Sequence, residues 1–263
     1  PLGEEYAQRA AEIQAELIEG SAAEWAREYH FGDGLGVNVT FAIAPNRGFI
    51  SIWEGCLGVY GRSLGTVTES NGKLLLNHEA PNQPGGFGNF SKVLVPVRWG
   101  ERRYLVGEEQ LGEFVNAVNS GYGECTGYCP TKFLLRTGDE DLKQTGRPEL
   151  PAEYAARLLG EPMYARVTRV VEPDLEVVDD EYRWRKALVE LDVGRNGGAW
   201  EGMEFSPSTH GESPDTFKIV KVADAVSLAE VTNFNSKAVA PEIGLCVSTH
   251  PQSGCAPAPV ASE

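Results

Sequence analysis

The residues best equipped for chemistry are few. Asp33, Asn38, Cys56 and His78 lie in one glycine-rich stretch and supply a carboxylate, an amide, a thiol and an imidazole. A thiol beside an imidazole is the raw material of nucleophilic hydrolysis, provided the base lowers the thiol pKa. The histidines, His30, His78, His210 and His250, sit in no local motif, so a hydrolase site here would have to assemble through folding. The simpler reading of Cys56, a small apolar side chain packed among glycines, is the stronger. His-Glu-x-x-His, Gly-x-Ser-x-Gly and the P-loop pattern are all absent. Consecutive carboxylates diverge, so Asp139-Glu140-Asp141 and Asp179-Asp180-Glu181 read as solvated loop charge. Neither triplet has the alternate oxygen ligands and turn glycine of a calcium loop. The sequence assigns no catalytic residue, no metal ligand and no cofactor.

Non-covalent recognition has better candidates, namely Asp33, Asn38, Trp53 and Tyr60. An aromatic row on a curved sheet stacks on sugars or peptides, although such residues more often fill a core. Trp99, Trp184, Trp200, Tyr104 and Tyr182 raise the same alternative. The runs Gly32-Asp33-Gly34-Leu35-Gly36 and Gly55-Cys56-Leu57-Gly58 would cradle a phosphate only at the N-terminus of a following helix. A strand follows instead, so these glycines read as a bend or a close approach of two backbones. Asn38-Val39-Thr40 and Asn89-Phe90-Ser91 match the glycosylation sequon, which matters only in a eukaryotic secretory route.

The five cysteines are Cys56, Cys125, Cys129, Cys246 and Cys255. Cys125 with Cys129, and Cys246 with Cys255, are close enough to close small disulfide loops, which points to an oxidising compartment. The alternative is a set of reduced thiols in a cytoplasmic protein. Unequal gaps in two separate pairs do not match a tetrahedral zinc site.

The elements that must position these groups are mostly strands. Tyr6, Ala10, Ile13 and Leu17 form one stripe of a helix over 4–19, and Ser21-Ala-Ala-Glu24 reads as a capping box opening a second. From Gly32 the period becomes two. Three hairpins are expected, across Pro45–Gly48, Asn71-Gly72 and Gly100-Glu101, followed by a helix over 108–119. Further strands are expected at 164–171, 186–193, 202–206, 216–223, 226–232 and 244–249. The fold class is α+β and mostly β: N-terminal helices, an antiparallel meander or small barrel, then a second barrel of the OB or SH3 kind. The domain reading is a helical segment at 4–31, a meander domain at 32–119, a connection at 120–160, a small barrel at 161–250 and a tail at 251–263. Pro1-Leu2-Gly3 reads as a processing scar and is set aside.

The 23 Lys and Arg against 38 Asp and Glu give a net charge of −15. That field opposes nucleic acid and anionic membranes as partners, and no apolar run reaches the ~20 residues of a spanning helix. Gly32-Asp-Gly-Leu-Gly-Val-Asn38, Gly55-Cys-Leu-Gly-Val-Tyr60 and Gly65-Thr-Val67 resemble a pattern in uncharacterised bacterial proteins. Gly197-Gly-Ala-Trp-Glu-Gly-Met-Glu-Phe205 before Phe217–Val222 resembles small β-barrel modules of bacterial envelope accessory proteins. The resemblance implies a bacterial, exported protein and carries no activity or catalytic residue with it. The expectation is a non-catalytic periplasmic or extracellular protein with a binding or structural role toward a protein, peptide or glycan. The alternative is a hydrolase built around Asp33, Asn38, Cys56 and His78.

Overall fold

Helix α1 (Leu2–Glu19) keeps the expected stripe, with Ile13 fully buried and Tyr6, Ala10 and Leu17 packed beside it. Gly20, at φ +90°, ends it in a left-handed conformation that costs glycine little. The computed structural model describes residues 2–32, 36–79, 91–121, 131–177, 183–207, 216–235 and 241–250. The expected second helix does not form. Ser21 Oγ accepts the Ala23 N–H at 3.2 Å, and residues 21–27 run as turns and bends into strand β1 (Glu28–Gly32). A helix this short gains little from its own hydrogen bonds, whereas Tyr29 in a strand is almost completely buried.

Turn chemistry lays out the strands that follow. β2 (Asn38–Ala44) and β3 (Gly48–Gly55) join across Pro45–Arg47, with Gly48 at φ +78° opposite Ala44. β4 (Gly58–Ser70) and β5 (Lys73–His78) join through Asn71 at φ 52° and Gly72 at φ 73°, the doubly left-handed pair of a type I′ turn. β6 (Val93–Trp99) and β7 (Arg102–Gly107) turn at Gly100, whose φ is +59°. An eighth strand, β8 (Thr131–Arg136), lies in the segment read as a connection. It pairs with both β7 and β1 and closes the meander into an eight-stranded barrel.

Alternation along each strand sorts the side chains. Tyr29, Val39, Phe41, Ile43, Phe49, Leu74, Leu94 and Leu105 share one cluster inside the barrel. Ala42, Ala44, Ile50 and Leu64 face out and are covered by α1. Arg9 fastens the helix: its guanidinium donates to the Arg47 and Gly65 carbonyls at 3.0 Å each and meets Glu79 at 2.9 Å. After a single 3-10 turn at Glu108–Gln110 comes α2 (Leu111–Asn119), where Phe114 packs against Trp99, Tyr104 and Phe133 at ring separations of 6.1, 5.6 and 4.9 Å. Asp139 departs from the solvated-loop reading. It is buried, accepts the Arg103 N–H at 2.8 Å and pairs with Arg136 at 2.7 Å.

The chain divides into two units. The first is Pro1–Phe114 with Gly123–Ala155, which includes the short α3 (Ala152–Ala155); the second is Val115–Tyr122 with Ala156–Glu263. The second unit contains β9 (Tyr164–Val177), β10 (Arg183–Leu191), β11 (Glu204–Pro207), β12 (Thr216–Val222), β13 (Ser227–Asn235) and β14 (Cys246–Ser248), closed as a six-stranded antiparallel barrel. Val167, Val189, Leu191, Phe205, Phe217, Ile219, Val231 and Val247 fill it. Asn116 and Asn119 of α2 are held within this unit by their amides. Asn116 donates to the Gly202 carbonyl at 2.8 Å, and Asn119 accepts the Leu159 N–H at 2.9 Å. Among the described residues, no helix is long and apolar enough to cross a membrane.

The packing of α1 gives a direct test. Ile13→Ala removes a fully buried side chain and is expected to cost about 2–4 kcal/mol. Ile18→Ala, at a residue 83% exposed, changes stability by less than about 0.5 kcal/mol. Urea unfolding followed by tryptophan fluorescence separates the two.

Candidate functional site

In an up-and-down barrel alternate connections share an end. The tight turns at 45–47, 71–72 and 100–101 close one end of the first barrel, and the connections after β1, β3, β5 and β7 leave from the other. At that second end lies a cavity of about 120 Å³. Phe31, Val39, Trp53, Leu94, Leu105, Phe133 and Leu134 form its apolar wall, with Trp53 tilted on Phe31 at 6.4 Å. Ser91, Glu109 and Gln110 supply a polar side. Ser91 donates to Glu109 at 2.8 Å. These three converge because Gly107 has no side chain: a Cβ there would lie 2.8 Å from the Gln110 amide oxygen and 3.1 Å from Ser91 Cβ.

A second polar group sits inside the same barrel. On β3 the inward positions are Phe49, Ser51 and Trp53, and on β4 and β5 they include Ser63, Val67, Leu74, Leu76 and His78. Ser51 is paired opposite Ser63. Ser63 Oγ and His78 Nδ1 share a hydrogen bond of 2.8 Å, and Phe49 meets the imidazole edge-on at 5.1 Å. Among the described residues Ser51 Oγ is buried with no hydrogen-bond partner, whereas the His78 ring also meets the Ser91 main chain in a hydrogen bond. Burial holds the His78 pKa below the ordinary imidazole value, and the positive charge of Lys92 adds to the shift. Ser63 is only 1% exposed.

The residues singled out from the sequence fall in several places. Trp53 lines the cavity. Asn38 is on the opposite face of β2 from Val39, and its amide donates to the Gly36 carbonyl at 3.4 Å. Tyr60 braces the β3–β4 tip, where its hydroxyl accepts the Leu57 N–H at 3.3 Å. Cys56 is an exposed thiol at that tip. His78 lies opposite Gly65, seven positions along β4 from Gly58, or about 23 Å of extended strand. The fold therefore does not bring Cys56 and His78 together. The glycine clusters are explained by close approach: a Cβ on Gly55 would lie 2.5 Å from the Gly36 carbonyl oxygen, and one on Gly32 would lie 2.6 Å from that of Val37. Cys246, on β14, is disulfide-bonded. Asp33, Cys125, Cys129, Cys255, Asn89, Asp179–Glu181 and the side chains of Tyr182 and Trp184 lie outside the described residues.

Sequence reasoning passed over Ser51, Ser63, Phe31 and Phe133. The two serines were open to detection, since each is a polar residue at an inward position of an alternating strand. Phe133 was hidden in a segment whose turn-rich composition read as a connection. No group of three or more His, Cys, Asp or Glu among the described residues is disposed to hold a metal ion.

Histidine burial has a pH signature. Folding disfavours the imidazolium, so the unfolded chain takes up a proton first as pH falls below about 6.5. Stability from His78 is fully present above that pH and is lost as the pH drops through the lower folded value. In urea unfolding at about pH 7.5 and about pH 5, the wild type is expected to lose more stability on acidification than His78→Gln. Equal losses would mean that His78 titrates as if in solvent. Comparison with protein-family models, curated proteins and solved structures finds no match for this chain, and its function has to be read from the barrel itself.

Proposed function

We propose that this chain is a non-catalytic binding protein, exported or envelope-associated, whose first barrel takes a small apolar ring at the end away from its tight turns. The observation that carries the reading is the 120 Å³ cavity walled by Phe31, Trp53 and Phe133 and bordered by Ser91, Glu109 and Gln110. An eight-stranded barrel is just wide enough to hold one small ligand. A cavity of this size belongs with those that accept a benzene-sized ring. A free aromatic compound and the aromatic side chain of a peptide partner both present such a ring. What supports export is the close cysteine spacing, the disulfide-bonded Cys246 and the acidic composition.

The hydrolase reading has one specific observation in its favour, the 2.8 Å contact between Ser63 and His78. Against it stand the burial of Ser63 and, among the described residues, the lack of a carboxylate hydrogen-bonded to the imidazole, which a triad would require.

Toluene is expected to bind saturably, with a change in Trp53 fluorescence, and Trp53→Ala to weaken it roughly tenfold. If neither toluene nor phenol binds, the cavity is not a ligand site. A fluorophosphonate probe is expected to leave Ser63 unlabelled; covalent labelling there would restore the hydrolase reading. Mass spectrometry of native material is expected to find the Cys125–Cys129 and Cys246–Cys255 disulfides, and reduced thiols throughout would remove the argument for export.

A further inference from the structure

The polar edge of the cavity is more selective than its apolar wall. Leu94, Leu105 and Phe133 are buried and form the floor, whereas Glu109 and Gln110 are exposed and stand where the cavity meets solvent. Ser91, on the same edge, has its one proton taken within the protein, by Glu109 Oε2 at 2.8 Å or the Val93 carbonyl at 2.6 Å. It has only lone pairs left to offer. A Cβ at Gly107 would lie 2.8 Å from Gln110 Oε1 and 3.2 Å from Glu109 Oε1, so an amide oxygen and a carboxylate oxygen converge on one place. The edge therefore presents acceptors and a negative charge.

That charge has no cation of its own. Neighbouring Glu108 is paired with Lys73, but among the described residues no basic side chain forms an ion pair with Glu109, and the cavity wall holds no Lys, Arg or His. A ligand complementary to this edge brings donors and positive charge. A protonated amine brings both, with three donors and no acceptor. The aromatic wall of Phe31, Trp53 and Phe133 favours the same sign, since the face of an aromatic ring attracts a cation. So does the net charge of −15, which raises the local concentration of cations.

Size fixes how the two parts are arranged. The cavity of about 120 Å³ holds one benzene-sized ring and little more. The amine must then stand at the edge, a carbon or two from the ring. An aromatic side chain within a peptide carries no amine at that distance, so the edge suits a free small molecule.

Resting on the reading of the cavity as a ring-binding site, we propose that its ligand class is a free arylalkylamine in its protonated form. The ring lies among Phe31, Trp53 and Phe133, held by apolar contact, and the ammonium donates to Glu109 and to Gln110 Oε1 at the cavity mouth.

The test is titration calorimetry of the whole protein with toluene, benzylamine and phenylacetate, repeated on Glu109→Gln and Glu113→Gln. The first substitution removes the charge at the cavity and keeps an oxygen to accept from Ser91. The second removes an equal charge from an exposed position of α2 that is not on the wall. In the wild type benzylamine is expected to bind roughly threefold to tenfold more tightly than toluene, and phenylacetate more weakly than either. Glu109→Gln should cut the benzylamine-to-toluene affinity ratio by about threefold to tenfold, with toluene affinity held within about twofold. Glu113→Gln should leave the ratio unchanged. N-acetylphenylalanine amide, which carries the ring of a mid-chain residue without the amine, should bind no more tightly than toluene. Glu109 is exposed, so the urea midpoint of Glu109→Gln should match the wild type, and the wild-type ligand series needs no variant at all. A ratio at or below one in the wild type, or one that Glu109→Gln leaves unchanged, overturns the amine assignment and leaves the ring-binding reading standing. Equal drops in the two variants trace the preference to the overall field and overturn the role of Glu109. Phenylacetate or the N-acetyl amide binding more tightly than benzylamine overturns the ligand class. If no ring-bearing probe binds, both readings fall together.

Discussion

The pairing of β1 with β8 is the contact on which the first unit depends. Tyr29 opposite Arg136 and His30 opposite Leu135 join the first strand to the last, and the Thr137 N–H extends the seam to the Glu28 carbonyl at 2.9 Å. Without that seam the meander would be an open sheet with two exposed edges. With it, the inward residues of all eight strands face one another across a fixed volume. Closure also sets what the corner residues must do. Asp139, just past β8, is buried and ties the Arg103 main chain to the Arg136 side chain. The Tyr29 hydroxyl donates to the Trp25 carbonyl at 3.1 Å, and burial raises its pKa so that it stays protonated and able to donate.

A closed ring cannot relieve a packing mismatch by opening an edge, so its contents must suit its diameter. Toward the tight-turn end Tyr29, Phe41 and Ile43 are buried completely or nearly so, and that part of the interior is a conventional core. At the same levels the neighbouring strands carry small inward residues: Ser51 lies opposite both Phe41 and Ser63, and Gly65 opposite Phe49. Gly65 has no choice, because a Cβ there would lie 2.0 Å from the Asn77 carbonyl oxygen. The serines are under no such constraint. Small polar residues at inward positions lower packing density and leave hydrogen-bonding capacity unused, and both effects oppose stability. Sites of function are where such local costs persist.

Much of the architecture was legible in the sequence, because it rests on local signals. Asn71-Gly72 specified its turn outright, and the six strands of the second barrel followed from alternation. The absent helix after Ser21 and the unrecognised β8 share a cause. Each was decided by a long-range pairing, β1 with β8, that no window of neighbouring residues contains. The candidate site was legible only in part. Trp53 stood out by residue type and lines the cavity, whereas Asn38 and Tyr60 stood out equally and serve the hairpins around it. Residue type identifies what can bind; inward or outward facing decides what does, and that depends on a strand phase that Ser51 and Ser63 made visible.

Charge and cavity act on different scales. Arg9, Arg103, Arg136 and Arg169 are each committed to an acidic partner, so the surplus carboxylates set the outer field. At physiological salt that field decays within about 8 Å. It can turn away polyanions but cannot steer or hold a neutral ring. Affinity for such a ligand has to arise inside the barrel, from apolar area removed from water and from whatever hydrogen bonds the interior offers. In an enclosed, poorly hydrated place each of those bonds discriminates more sharply than it would at the surface, because a ligand lacking the matching group leaves a buried atom unpaired.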